Sequence, residues 1–253
     1  MKTTKEPDAW LAYRHPNPEA RLRLFCFPYA GGGASIFRTW SNYLPAQVEV
    51  CPVQIPGRET RLMETPYKRL TLLIDVLAEA LAPFLDKPFV LFGHSMGALI
   101  SFELVRWLRQ HAMPQPIRLL VSGARAPQLS DQEPHLHHLP EKEFVEAILH
   151  LNGTPEDVLR HKELMQIILP YLRADFELCE TYVYQPEAPL SIPITVFGGW
   201  QDKKVKPHEL GDWREQTLKA CVIHMFSGDH FFLHSCREQM LLNLSHQLKL
   251  IQC

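Results

Sequence analysis

Six short apolar runs recur along the chain, at Leu22 to Phe27, Val48 to Val53, Phe89 to Phe92, Ile117 to Ser122, Ile192 to Phe197 and Cys221 to Phe226. Apolar spacing of three and four between them predicts helices over 34–44, 68–83, 96–110, 206–219 and 234–249; the last carries Met240, Leu241, Leu244 and Leu248. Continuous rather than alternating apolar runs suit strands buried on both faces. The alternation therefore predicts an α/β fold, a mostly parallel sheet flanked by helices and joined by right-handed crossovers.

One connection breaks the rhythm. About seventy residues separate the fourth run from the fifth, whereas a crossover between parallel strands needs about a dozen. The stretch opens with the polar, proline-rich APQLSDQEPHLHHLP and continues with helical patterns, Phe144, Ile148 and Leu151, then Leu164, Ile167, Ile168, Tyr171 and Leu172. Residues 1–125 and 191–253 are read as the sheet core, and 126–190 as a helical lid inserted into it. Within the insertion Phe144, Leu149, Leu151 and Tyr171 either line a channel or pack the helices on the core, and packing is the commoner fate of such stripes.

At 253 residues the chain is long enough for a substantial single core. Lys plus Arg number 26 against 28 Asp plus Glu, so there is no basic footprint for nucleic acid. The start, MKTTKEPDAW, lacks the apolar segment of a signal peptide, and no run reaches about 18 apolar residues. The expectation is a cytoplasmic protein with no membrane partner. Six scattered cysteines without C-x-x-C spacing indicate neither a zinc site nor a disulfide framework, and reduced thiols agree with that compartment.

The chemistry begins at Gly93-His94-Ser95-Met96-Gly97, a G-x-S-x-G placed between a strand and a helix. Side chains two residues either side of the serine would collide where strand and helix nearly touch, and glycine removes the collision. The serine is then pushed out at the carboxyl edge of the sheet, with the helix N-terminus directing N–H groups towards whatever reacts there. The competing reading is a plain N-cap serine with incidental glycines.

An alcohol is nearly inert at neutral pH, so Ser95 needs a base, and the base needs a partner that fixes its tautomer. In a sheet of this kind the order is Ser, then acid, then His. Asp202 follows the fifth apolar run and His230 follows the sixth, both at the same edge as Ser95. Oxyanion donors are expected from the N–H of Met96 and from the Gly-rich loop Phe27 to Gly33, where the N–H of Ala30 is favoured. That loop carries neither G-x-G-x-x-G nor G-x-x-x-x-G-K-[ST], so a phosphate cradle is the weaker reading.

Rival residues are assigned to structure. Asp229 adjoins His230 but neighbouring side chains diverge, so it is expected to shape the loop. His94 should point away from the serine and pack. His135, His137 and His138 resemble a metal cluster, but without carboxylate or cysteine support they are read as solvated residues of the insertion. His224 and His234 are taken as structural, and no metal or cofactor is expected.

The blocks LFCFPYAGGGASIFRTW, VQIPGRETR, FGHSMGALISFELV, LPYLRADFELCETYVY, GGWQDKKV and FSGDHFFL, taken together, resemble the type II thioesterases that accompany polyketide and nonribosomal peptide synthetases. The resemblance runs from Trp10 to the final helix. It implies an α/β-hydrolase that clears acyl groups from the phosphopantetheine arm of carrier protein domains, acts as a monomer and holds no cofactor of its own. Position by position it implies Ser95 as nucleophile, His230 as general base, Asp202 as its orienting acid, and Ala30 and Met96 as oxyanion donors. Tyr29 stands where many members have histidine, which leaves a backbone donor undisturbed.

Alternatives differ in substrate or in class. A medium-chain fatty acyl thioesterase shares the same blocks; a generic carboxylesterase would prefer oxygen esters; a carrier-protein-binding module without catalysis would leave the serine unreactive.

Overall fold

The computed structural model describes residues 7–129, 134–150 and 162–251. Its strands are β1 Leu22–Phe27, β2 Val48–Pro52, β3 Phe89–His94, β4 Arg118–Ser122, β5 Ile194–Gly199 and β6 Cys221–Phe226. All pair in parallel, in the order β2-β1-β3-β4-β5-β6. The α-helices are α1 Leu70–Leu81, α2 Met96–Gln110, α3 Glu141–His150, α4 Lys162–Glu180, α5 Phe232–Ser235 and α6 Arg237–Ile251. This is the α/β-hydrolase arrangement of a parallel sheet between helical layers.

Every residue of β1, β2, β3 and β5 is buried, as strands covered on both sides must be. Alternate side chains enter opposite layers. Phe25, Phe27 and Leu91 pack with α1 and α2, whereas Leu24, Cys26, Val90 and Phe92 pack with Phe37, Trp40 and the Met240, Leu241 and Leu244 face of α6.

Three predicted helices are modified, each for a local reason. Residues 34–44 form two 3₁₀ turns, Ala34–Phe37 and Trp40–Asn42, with no side-chain cap to extend them. Residues 206–219 contain Pro207 and Gly211, both poor helix formers, and give a 3₁₀ stretch at Glu209–Gln216. The last helix breaks at Cys236, separating α5 from α6. Strand β5 begins at Ile194, after Pro193, which has no N–H to give a ladder.

The strand order places the functional edge. The chain goes outward from β1 to β2, then crosses back over β1 to β3, so the loops after β1 and β3 depart towards opposite faces and leave a crevice at the carboxyl rim. Between β4 and β5, α3 and α4 form their own apolar cluster of Phe144, Ile148, Met165, Leu169, Leu172 and Phe176. Phe144 is fully buried there, Leu149 is exposed, Tyr171 is half-buried, and Leu151 lies outside the described residues. The end of α4 and the chain after it, through Leu178, Tyr182, Tyr184 and Leu190, join the α1–α2 side of the main core. Among the described residues no helix is long and apolar enough to cross a membrane.

Candidate active site

Ser95 ends the buried strand β3 and stands at the start of α2 with φ 53° and ψ −115°. A serine capping a helix in the ordinary way has extended backbone and bonds its hydroxyl to the first turn. Ser95 does neither, since its side chain makes no capping bond. The strained turn matches a nucleophile elbow instead, and its own N–H is held by the Ser122 carbonyl at 2.8 Å.

The flanking glycines are required by contact. A Cβ on Gly93 would lie 2.0 Å from the Gly97 carbonyl oxygen, and one on Gly97 would lie 2.1 Å from the Phe27 carbonyl oxygen. The elbow is thus pressed against the end of β1, which brings the glycine loop beside it. There Gly32 N–H closes a turn onto the Tyr29 carbonyl at 2.9 Å, with Gly31 at φ 81° in the third position, as a type II turn demands.

Asp202 and His230 meet although 28 residues separate them: His230 Nδ1 and Asp202 Oδ2 are 2.8 Å apart, and both residues are buried. The other carboxylate oxygen accepts the N–H groups of Lys204 (2.8 Å) and Val205 (3.0 Å), which aims the side chain. Their two loops are laced together by Gln201 N–H on the Gly228 carbonyl, 2.9 Å, and Gly199 leaves room where a Cβ would strike the carbonyls of Gly228 and Asp229. With Nδ1 on the carboxylate, Nε2 is the nitrogen available to a hydroxyl. The imidazole packs against His94, the residue before Ser95, with ring centroids 5.3 Å apart. Ser95 Oγ and His230 are not hydrogen-bonded in this arrangement; such bonds are often long until substrate tightens them.

The remaining expectations divide. Asp229 bonds the Phe231 N–H at 2.9 Å and shapes its loop, leaving His230 to Asp202. His94 is fully buried, with Nδ1 2.9 Å from Ser122 Oγ; burial, and then the nearness of His230, hold it well below the usual imidazole range and therefore neutral. His224 receives Asn243 Nδ2 at 3.2 Å, and His234 pairs with the Tyr29 hydroxyl at 2.9 Å. The Tyr29 hydroxyl is pushed up to about 12 by burial.

Of the histidine trio, His135 and His138 are exposed as expected, and only His137 departs from that reading. His137 is buried rather than solvated, and a carboxylate does support it: Glu180 of α4 bonds His137 Nδ1 and accepts the N–H groups of Leu136 (2.8 Å) and His137 (3.0 Å). That partner lies 43 residues away, beyond the reach of a local reading. The ligand atoms of His135, His137 and His138 lie within 4.8 Å of one another.

Two further residues reach the site, from two of the blocks that carry the resemblance but with no role assigned to them by the sequence. Arg58 and Asp175, both buried, form a two-pronged ion pair with both N–O distances 2.6 Å, and Asp175 Oδ2 also accepts the Gly31 N–H at 2.8 Å. A lone arginine and a lone aspartate 117 residues apart carry no signal of pairing.

The sequence family described as Thioesterase domain matches residues 22–248. The chain belongs to the thioesterase family. This thioesterase is 47% identical over 252 residues to a Brevibacillus parabrevis protein named linear gramicidin dehydrogenase LgrE, covering 98% of this chain and 96% of that one. It is 45% identical over 251 residues to the gramicidin S biosynthesis protein GrsT of Aneurinibacillus migulanus, covering 99% and 98%. Among solved structures, the type II thioesterase BorB from the borrelidin biosynthetic cluster superposes with a TM-score of 0.84 at 35% identity, covering 93% of this thioesterase and 96% of BorB. The rat medium-chain S-acyl fatty acid synthase thioesterase stands further off, 34% identical over 224 residues, 87% of this chain and 84% of its own.

Proposed function

We propose that this thioesterase hydrolyses acyl groups from the phosphopantetheine arm of carrier protein domains, clearing them from a nonribosomal peptide or polyketide assembly line. The observation that carries the chemistry is the buried Asp202–His230 pair standing beside the strained Ser95 turn. The carrier-bound substrate rests on the kinship with GrsT and BorB.

In this reading His230 Nε2 takes the proton of Ser95 as Oγ attacks the thioester carbonyl. Electrons move onto the carbonyl oxygen, and the N–H groups of Ala30 and Met96 receive the negative charge. Neither group donates to another atom among the described residues. The C–S bond breaks, His230 returns the proton to the departing thiolate, and Ser95 keeps the acyl group. Water, deprotonated by the same imidazole, attacks the ester; Ser95 recovers its proton and the acid is released. Asp202 holds the proton of Nδ1 throughout and offsets the imidazolium charge. The protein supplies every group these steps require, and the phosphopantetheine belongs to the substrate. Helices α3 and α4 serve as the lid over this rim, and the enzyme works as a monomer in the cytoplasm.

The test offers the purified protein acyl-pantetheinyl carriers of graded chain length beside the matching acyl-CoA molecules, with Ser95→Ala as the blank. Faster turnover of carriers bearing short or peptidyl groups supports the proposal. A strong preference for medium or long chains would move the reading to the fatty acyl class, which the rat relative favours; preference for oxygen esters would indicate a carboxylesterase. Failure of a fluorophosphonate to label Ser95 would leave a binding module.

A further inference from the structure

The blocks VQIPGRETR and LPYLRADFELCETYVY contain none of the five residues of the proposed mechanism, yet they converge on the loop that carries Ala30. From the first, Gln54 Oε1 accepts the Ala34 N–H at 3.2 Å, Glu59 accepts the Ser35 N–H at 3.2 Å, and Arg58 donates to the Gly32 carbonyl at 3.2 Å. From the second, Asp175 accepts the Gly31 N–H, and Leu172, three residues earlier on α4, packs so closely that a Cβ on Gly31 would lie 2.7 Å from its Cδ1. Arg58 and Asp175 then join the two blocks by their paired 2.6 Å bonds, with the Tyr171 ring 4.9 Å from the guanidinium carbon.

A buried ion pair is weak evidence for stability, because desolvation offsets the attraction. What this one does is geometric. In the Tyr29–Gly32 turn the central peptide joins Ala30 to Gly31, and its N–H is the one Asp175 holds. A type II turn keeps that peptide in one of two opposite orientations. With the Gly31 N–H directed at α4, the Ala30 carbonyl points the other way. Turned over, the peptide would place a carbonyl oxygen where Asp175 is, and the carboxylate repels it.

We propose that Arg58 and Asp175 are positioning residues for oxyanion stabilisation, linking the seating of α4 to the geometry of the loop that carries the Ala30 N–H. The proposal deepens the hydrolase reading above and rests on it. A lid helix displaced from its seat takes Asp175 with it and releases the turn, so the oxyanion site is complete only when α4 is docked.

The experiment compares Asp175→Asn and Arg58→Lys with wild type on an acyl-pantetheine thioester, and measures inhibition by a trifluoromethyl ketone that forms a tetrahedral adduct on Ser95. One lost oxyanion donor costs about a hundredfold to a thousandfold, so a displaced one is expected to cost about tenfold to hundredfold in kcat. KM should stay near wild type, and the ketone Ki should rise in proportion to the loss of kcat/KM. Wild-type kcat and Ki in folded variants would overturn the proposal, as would a loss confined to KM or one accounted for by unfolded protein. A readout independent of turnover is amide hydrogen exchange over residues 28–33. Faster exchange in Asp175→Asn, with the sheet still protected, supports the link, and unchanged exchange refutes it even if the wild-type protein proves inactive on thioesters. Should Asp175→Asn fail to fold, Arg58→Lys, which keeps the charge and loses the fork, carries the same tests.

Discussion

Gly97→Ala adds one methyl group at the point where α2 begins against the end of β1. The new carbon would lie 2.1 Å from the Phe27 carbonyl oxygen, 2.6 Å from its carbon and 2.8 Å from the Pro28 oxygen. Close carbon–oxygen contacts settle at about 3.3 Å, so the two elements must part by roughly 1 Å. All three atoms are backbone and no rotamer relieves the clash. The movement separates the Ser95 elbow from the loop bearing Ala30, and a displacement of about 1 Å costs on the order of a hundredfold in rate. Overpacking adds about 1–3 kcal/mol of destabilisation, which for a chain of this size lowers Tm by about 2–12 °C. The assay is kcat/KM on an acyl-pantetheine thioester beside a thermal melt. Gly211→Ala is the control, because nothing lies within 4 Å of a Cβ there. A folded Gly97→Ala enzyme that retains wild-type kcat/KM would refute the claim that this contact sets the geometry of the site.

Further outcomes follow from the same geometry. Ser95→Ala and His230→Ala should each lose kcat on the order of a millionfold while the fold survives, seen as a cooperative thermal melt. Asp202→Asn, which leaves the wrong imidazole tautomer, should lose about ten-thousandfold in kcat, whereas Asp229→Asn, which touches only the Phe231 N–H, should stay within a few-fold. If the aspartates exchanged these behaviours, the orienting acid would be Asp229. Neutral His94 makes stability depend on pH: the unfolded chain binds a proton below about 6.5 and the folded one resists it, so stability is whole above that value and falls below it, by at most about 1.4 kcal/mol per pH unit. Urea unfolding at a series of pH values should show that slope flattened in His94→Gln, and an unchanged slope would place the titration elsewhere. Phe144→Ala empties the centre of the α3–α4 cluster and should cost about 3–5 kcal/mol of local stability, seen as faster hydrogen exchange in α3 and α4 with the strands unaffected.

Much of the sheet was legible because burial on both faces writes a continuous apolar run, and all six runs became strands. The Asp202–His230 pair was legible because strand order and loop position constrain which acid can face which base. Helices were harder where capping and composition were marginal: Pro207 and Gly211 turned one into a 3₁₀ stretch, and Cys236 divided another. Long-range polar partners were invisible. Nothing near His137 announces Glu180, and nothing near Arg58 announces Asp175, because a side-chain pair has no period and its members can be anywhere along the chain.

Strand β6 and the loop after it join the sheet at its far edge and supply the imidazole. During synthesis from the amino terminus, the elbow hydroxyl and both proposed backbone donors are made more than a hundred residues before position 230. Until that loop is made, a growing chain lacks the base that the proposed mechanism assigns to Ser95. The edge strand thus contributes to the proposed site last, although it sits farthest from the strand with which the sheet begins.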